Sequence, residues 1–259
     1  VAWSSDSIRV RHPIILIHGI GARPNYGPVP YFYGLPEILS KQRIPHYSVN
    51  LPAWRSFLNR SEELKKQIEK KFPEGKVNLI GHSMGGLDAR YLISKLGFHD
   101  RVESLTTIGT PHHGTSLAEI ALAPVGGRER TWVRRFFGAL GYPVEALDKL
   151  TPQFCREQLG KDGAAHPDVA YYSTTSAIPK QDYRKRSLPI FWLSNKMIRK
   201  AEGENDGMIS VDSARFGEEL AVFPGDHYAQ IGQIVGRSRG LDYPALYSMI
   251  LRNLARRGH

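Results

Sequence analysis

Gly81-His82-Ser83-Met84-Gly85 places a serine between two glycines with the spacing G-x-S-x-G. Before it, Lys76-Val77-Asn78-Leu79-Ile80 reads as a short buried strand. After it, Gly86 to Ile93 reads as a helix with Leu87, Tyr91 and Leu92 apolar. A serine on a sharp turn between such elements keeps its hydroxyl exposed. Glycine suits the flanking positions, because side chains there would collide with the strand and the helix. The five-residue pattern alone is weak, but its strand-and-helix context makes it strong support for a nucleophile elbow. An acyl-transfer serine also needs donors for an oxyanion and a base held by a carboxylate.

Those groups are expected in a fixed order along the chain: oxyanion loop, serine, acid, histidine. Pro13-Ile14-Ile15-Leu16-Ile17 is a continuous apolar run, as for a central parallel strand covered on both faces, and it ends in His18-Gly19-Ile20-Gly21. The backbone N–H of Ile20 is assigned as one oxyanion donor and that of Met84 as the other. For the acid, Glu204-Asn205-Asp206-Gly207 follows Leu188-Pro189-Ile190-Phe191-Trp192-Leu193, which reads as a late strand with Asp206 on the loop beyond it. Asn-Asp-Gly also favours turns for its own reasons. Asp212 is the runner-up, and Asp182 and Asp226 are the other rivals. For the base, Leu220-Ala221-Val222-Phe223 reads as a strand, and His227 stands on the loop after it. His227 would take the Ser83 proton, and Asp206 would hold the imidazole tautomer.

With these pieces assigned, the chain resembles the bacterial true lipases, the family I triacylglycerol lipases of the α/β-hydrolase fold. The stretches that carry the resemblance are Pro13–Gly19, Tyr31-Phe32-Tyr33-Gly34, Val77–Gly86, Val102–Thr115, Tyr171-Tyr172-Ser173, Asn205-Asp206-Gly207 and the loop around His227. Thr107-Ile108-Gly109-Thr110-Pro111-His112 is much more specific than the elbow. The resemblance implies hydrolysis of triacylglycerols or related esters, a mobile lid and an oxyanion hole at the positions assigned above, and it favours secretion; no cofactor is expected. Tyr26, Tyr31 and Phe32 are placed with Met84 beside the acyl site.

Two departures stand out. Relatives often carry a structural calcium site with an aspartate two residues after the catalytic histidine, where this chain has Ala229, and no Asp or Glu lies between Asp182 and Glu202. Calcium prefers several oxygen ligands including carboxylates, so no metal site is expected. Some relatives carry a disulfide, and the single cysteine, Cys155, excludes an internal one.

The elements that position the site alternate. Tyr47–Leu51 reads as the second core strand and Val102–Ile108 as the strand after the elbow helix. Asn59 with Glu62 reads as a helix cap ahead of an apolar stripe of Leu64, Ile68 and Phe72. Asp242 and Pro244 open a last helix with Leu246, Ile250, Leu251 and Leu254 inward. The pattern implies one α/β-hydrolase domain over residues 1–259, with a mostly parallel sheet covered by helices on both faces. Residues 116–150 follow the Gly-Thr-Pro strand, where hydrolases insert caps. There Trp132, Val133, Phe136, Phe137 and Leu140 share one helical face, with Gly126-Gly127, Gly138 and Gly141 as hinges. That segment is read as a lid over the acyl pocket rather than a permanently packed helix.

No apolar run approaches the ~20 residues that span a bilayer. The net charge of +10 comes from scattered basic residues. Without a nucleic-acid-binding motif these read as a solvated face, with transient attraction to anionic lipid surfaces as the second reading and nucleic acid disfavoured. A start at Val1 points to a processed or trimmed chain. A lone cysteine fits the cytosol as well as secretion, and oligomeric state stays open. A carboxylesterase, thioesterase or acyltransferase with the same triad is the alternative within enzymes. A catalytically dead lipid-binding hydrolase fold is the alternative outside them.

Overall fold

The computed structural model describes residues 7–124, 127–160, 165–237 and 240–259. Gly126, one of the expected hinges, lies outside them. The chain begins with β1 (Ile14–Ile17), a small antiparallel ribbon of β2 (Asn25–Tyr26) and β3 (Val29–Pro30), α1 (Leu35–Lys41), β4 (His46–Ser48) and α2 (Phe57–Lys71). Then come β5 (Val77–His82), α3 (Met84–Ser94), β6 (Val102–Ile108) and the helices α4 (Ser116–Leu122), α5 (Arg128–Ala139) and α6 (Pro152–Leu159). The last part holds β7 (Ala170–Ala177), α7 (Tyr183–Arg186), α8 (Phe191–Glu202), α9 (Val211–Ala214), β8 (Glu218–Pro224) and α10 (Tyr243–Arg257).

Six strands form one sheet in the order β4-β1-β5-β6-β7-β8, and every neighbouring pair is parallel. Parallel neighbours need crossovers, which put helices on both faces and gather the loops after the strands along one edge. β1 shows how the layers form. Ile14 and Leu16 face a cluster with α1 and α10, through Leu39, Leu246, Tyr247 and Ile250. Ile15 and Ile17 face α2 and α3, through Leu64, Ile68, Ala89 and Leu92. The period of two in a strand makes that division. A third cluster caps the loop edge: Ile20, Met84 and Leu87 pack with Leu117, Val133, Phe136, Phe137 and Phe191. The buried Cys155 of α6 belongs to it, its thiol pushed up to about 12 by burial.

Three expectations need correction. Leu188–Leu193 is not a strand: α8 starts at Phe191 and buries Phe191, Ser194, Asn195 and Ile198, the spacing of one helical face. Its apolar start, taken without the polar residues that follow, conceals that period. The strand in question is β7, whose hydroxyl-rich Ser173, Thr174, Thr175 and Ser176 are buried despite low hydropathy. α2 starts at Phe57 with Ser56 at its cap, so Asn59 lies inside the helix and accepts a hydrogen bond from Ser56 Oγ at 3.0 Å. β4 is a short edge strand ending at Ser48, not a core strand reaching Leu51.

Candidate active site

β5 delivers Ser83 to the loop edge. Ser83 has φ 55° and ψ −131°, backbone that a non-glycine residue adopts only under constraint. The constraint is local. Ser83 N–H donates to Ile108 O at 3.0 Å, and Thr110 Oγ1 donates to Ser83 O at 2.8 Å. The neighbours must be bare. A Cβ on Gly81 would lie 2.7 Å from the carbonyl carbon of Gly85, and one on Gly85 would strike the Ile17 carbonyl. The turn thus wedges α3 against both β5 and β1.

Asp206 and His227 meet beside it. His227 Nδ1 lies 2.7 Å from Asp206 Oδ2, both side chains essentially fully buried. Asp206 is fixed from several sides: Oδ1 accepts the N–H groups of Met208 (2.9 Å) and Ile209 (2.7 Å), and Oδ2 accepts Gln230 Nε2 at 2.9 Å. The N–H of His227 also donates to Asp206 O at 2.9 Å. The rival acids sit elsewhere. Asp212 is exposed and paired with Arg215, and Asp182 pairs with Arg186 on the surface. Asp226 is buried, but its carboxylate accepts the N–H groups of Leu188, Tyr228 and Ala229. It therefore pins the histidine loop to the segment before α8. Ala229 stands buried in the turn that follows His227.

A neutral hydrogen-bond chain links this pair to the first loop. Gly19 N–H donates to Tyr31 OH at 3.1 Å, so the Tyr31 proton goes to His82 Nδ1, 2.7 Å away. That leaves His82 Nε2–H to donate to the His227 carbonyl at 3.1 Å, with the two imidazole rings 4.6 Å apart. Burial keeps both links uncharged: it pushes the Tyr31 phenol up, and burial together with nearby His227 holds His82 well below the usual histidine range. His18 is set the same way. Leu51 N–H donates to its Nε2, so Nδ1 carries the proton toward Gly19 O at 2.9 Å. Among the described residues no hydrogen bond joins Ser83 Oγ to His227, whose ring lies against that of the residue preceding Ser83.

The first loop is also held from below by a charge. Arg60 of α2 and Asp88 of α3 form an ion pair with both side chains fully buried, Nη2 to Oδ2 at 2.7 Å and Nε to Oδ2 at 2.9 Å. The same guanidinium donates to His18 O at 2.6 Å and to Gly19 O and Pro52 O at 3.3 Å. Burial pushes the Asp88 carboxyl up to about 6 against the pull of Arg60, so the pair is ionised at neutral pH. Among the described residues, no protein acceptor meets the N–H of Ile20 or of Met84. These two groups lie at the ends of the loop and of the elbow that Arg60 and Asp88 tie together.

Of the residues expected beside the acyl chain, Tyr26 is half-exposed on the small ribbon. Tyr31 spends its hydroxyl on Gly19 and His82. Phe32 is buried in one cluster with Leu35, Ile38 and Tyr247, its ring edge-on to that of Tyr31 at 5.2 Å. Val133, Phe136 and Phe137 of α5 are buried in the cluster of Ile20 and Met84, with Trp132 and Leu140 packed at its margin. The turn after α5 brings Tyr142 OH to 3.3 Å from Tyr228 OH and its ring edge-on to Trp54, over Gly21. Sequence reasoning missed Arg60, Asp88, Gln230 and the linking role of His82. An arginine amid the lysines of α2, spaced to face α3, is the one signal that pointed there.

The alpha/beta hydrolase fold family model matches residues 12–147. The triacylglycerol lipase of Pseudomonas fragi is 29% identical over 272 residues, covering 90% of this chain and 92% of its own. The triacylglycerol lipase of Burkholderia plantarii is 27% identical over 289 residues, covering 87% and 80%. Among solved structures, the mature lipase BlEst2 of Bacillus licheniformis superposes with a TM-score of 0.70 at 22% identity, covering 95% of this chain and 94% of that one. The lipase of Staphylococcus hyicus superposes with a TM-score of 0.70 at 17% identity, covering 99% and 98%. On that match, and with a parallel sheet that ends at a strained serine turn, the chain belongs to the alpha/beta hydrolase fold family.

Proposed function

We propose that the protein is a serine hydrolase of carboxylic esters, acting on acylglycerols through Ser83, His227 and Asp206. The observation that carries the reading is the buried 2.7 Å bond from His227 Nδ1 to Asp206 Oδ2 beside the strained elbow. With Nδ1 given to the carboxylate, Nε2 is the free base. Nε2 takes the Ser83 proton as Oγ attacks the ester carbonyl, and the pair closes to hydrogen-bonding distance once substrate is bound. The carbonyl oxygen, becoming an anion, enters between the N–H groups of Ile20 and Met84, each worth roughly 3 kcal/mol. The tetrahedral species expels the alcohol, protonated by His227. Water, deprotonated by the same nitrogen, then releases the acid and restores Ser83.

The substrate class rests on the relatives, which are triacylglycerol lipases, and on the cap. The apolar face of α5 covers the Ile20 and Met84 end of the site. A cap that moves would admit an acyl chain and offer that face to lipid, which is the lid role proposed for residues 116–150. The test is hydrolysis rate against acyl length, from short soluble esters to emulsified long-chain triacylglycerol, with Ser83→Ala as control. Emulsion turnover that Ser83→Ala removes supports a lipase. Turnover confined to short esters makes it an esterase, and turnover that survives Ser83→Ala removes the mechanism.

A further inference from the structure

Beside α5 lies a feature that the reaction at Ser83 does not use, although Trp132 and Phe136 in its wall also belong to the apolar cluster of Ile20 and Met84. Between α5 and the start of α8 lies an open groove of about 1010 Å³. Its floor and walls are Trp132, Phe136, Ile190, Trp192 and Leu193, and no aspartate or glutamate lines it. Trp132 and Phe136 stack at 5.2 Å and 20°, making a flat aromatic wall, and Leu193 stands 42% exposed at the opposite lip.

Cations border this apolar surface. Arg128 and Arg135 line the groove two helical turns apart on one face of α5, and neither has an ion-pair partner among the described residues. Arg184 lies with its guanidinium carbon 5.3 Å from the Trp192 ring. Glu129, the only acid of α5, is exposed and pairs with neither arginine. An apolar trough bordered by unpaired guanidinium groups fits a molecule with a long hydrocarbon chain and one anionic oxygen head. The trough takes the chain out of water, and an arginine gives the head a charge-assisted hydrogen bond. A neutral chain would leave the cations unused, and a short anion would leave the trough empty. The length of α5, about 18 Å at 1.5 Å per residue, gives a long chain room to lie along it.

We propose that this groove is a second ligand site, separate from Ser83, that binds one long-chain fatty acid as the carboxylate. The ligand class is that of the product proposed above, but the site holds none of the residues of that reaction. Two rings connect its floor to His227, since Phe136 meets Phe191 at 6.1 Å, Phe191 meets Tyr228 at 5.5 Å and Tyr228 meets His227 at 6.0 Å.

The experiment is calorimetric titration of the Ser83→Ala protein with oleate, kept below the concentration at which it self-associates. The same titration is run on Ser83→Ala carrying Arg128→Gln with Arg135→Gln, or carrying Leu193→Asp, and thermal melting confirms that each variant is folded. One saturable event is expected. It weakens by about tenfold or more in both groove variants and for oleyl alcohol, which has the chain without the charge. Unchanged affinity in folded groove variants would put the fatty acid elsewhere, such as beside Ser83, and overturn the proposal. So would binding to anionic phospholipid vesicles without binding to monomeric oleate, which would make the face a membrane contact. Because Ser83 is absent throughout, failure of the hydrolase reading leaves the result readable.

Discussion

At the scale of single residues, the site is built from groups whose protonation is fixed by what they touch. Tyr31 accepts from Gly19 and therefore donates to His82, which therefore donates to the His227 carbonyl. Tyr31→Phe removes both links at once. It strands the Gly19 N–H, at a cost of about 1–3 kcal/mol, next to a proposed oxyanion donor. The expected outcome is a fall in kcat of about ten- to a hundredfold with KM little changed, since the loop matters most once charge develops on the carbonyl oxygen. Steady-state kinetics on a soluble ester checks it, and an altered KM alone would show that Tyr31 serves substrate binding instead. At this scale Ser83 and His227 are read from loops that follow β5 and β8, and Asp206 from its Asn-Asp-Gly turn, although the element before it is α8 and not a strand. Less legible was that the rings of Tyr31 and Phe32 meet edge-on in one buried cluster. Side-chain direction at the end of a strand loop depends on packing that residue type does not encode.

At the scale of elements, the buried Arg60–Asp88 pair joins α2 to α3, and its guanidinium braces the loop after β1 through the His18 and Gly19 carbonyls and the segment after β4 through that of Pro52. Removing one partner strands the other charge. Arg60→Ala is expected to cost about 3–5 kcal/mol of stability. Arg60→Met with Asp88→Leu restores much of that stability, because neither charge remains buried. Activity should stay low in the double variant, because the His18, Gly19 and Pro52 carbonyls have lost their donor. Urea denaturation read beside ester turnover separates the two effects, and recovery of both would reduce the pair to a packing role. Elements with a plain period were legible in advance: β1, β5, β6 and α10 stand close to where their patterns put them. The start of α8 reads as apolar without a break, and β7 is polar yet buried. Both were obscured because tertiary burial, not local pattern, decides them.

At the scale of the whole molecule, the interior keeps several histidines neutral. Burial, with the nearby Arg60 charge, holds His18 down to about 3, and burial holds His82 and His112 well below the usual range, with His227 and Arg90 adding to it. Unfolded, each titrates near 6.5. Below that pH the unfolded chain binds protons that the folded protein refuses. The stability from these groups is therefore whole above pH 6.5 and is lost as the pH falls, until each folded pKa is reached. The slope is about 1.4 kcal/mol per pH unit for each histidine, or about 4 for the three together. Denaturation midpoints at pH 7.5, 6.5 and 5.5 check it: little change over the first step, a steep fall over the second, and a shallower fall in a folded His112→Gln variant. Among the described residues no helix is long and apolar enough to cross a membrane. The same interior gives the molecule a clock. Its one thiol, on Cys155, sits under the cap layer within reach of the Pro111 and Lys149 carbonyls. A thiol reagent can reach it only when that layer parts. The rate at which one sulfur is alkylated in the unaltered protein therefore times the opening of the layer, with no dye, label or engineered residue.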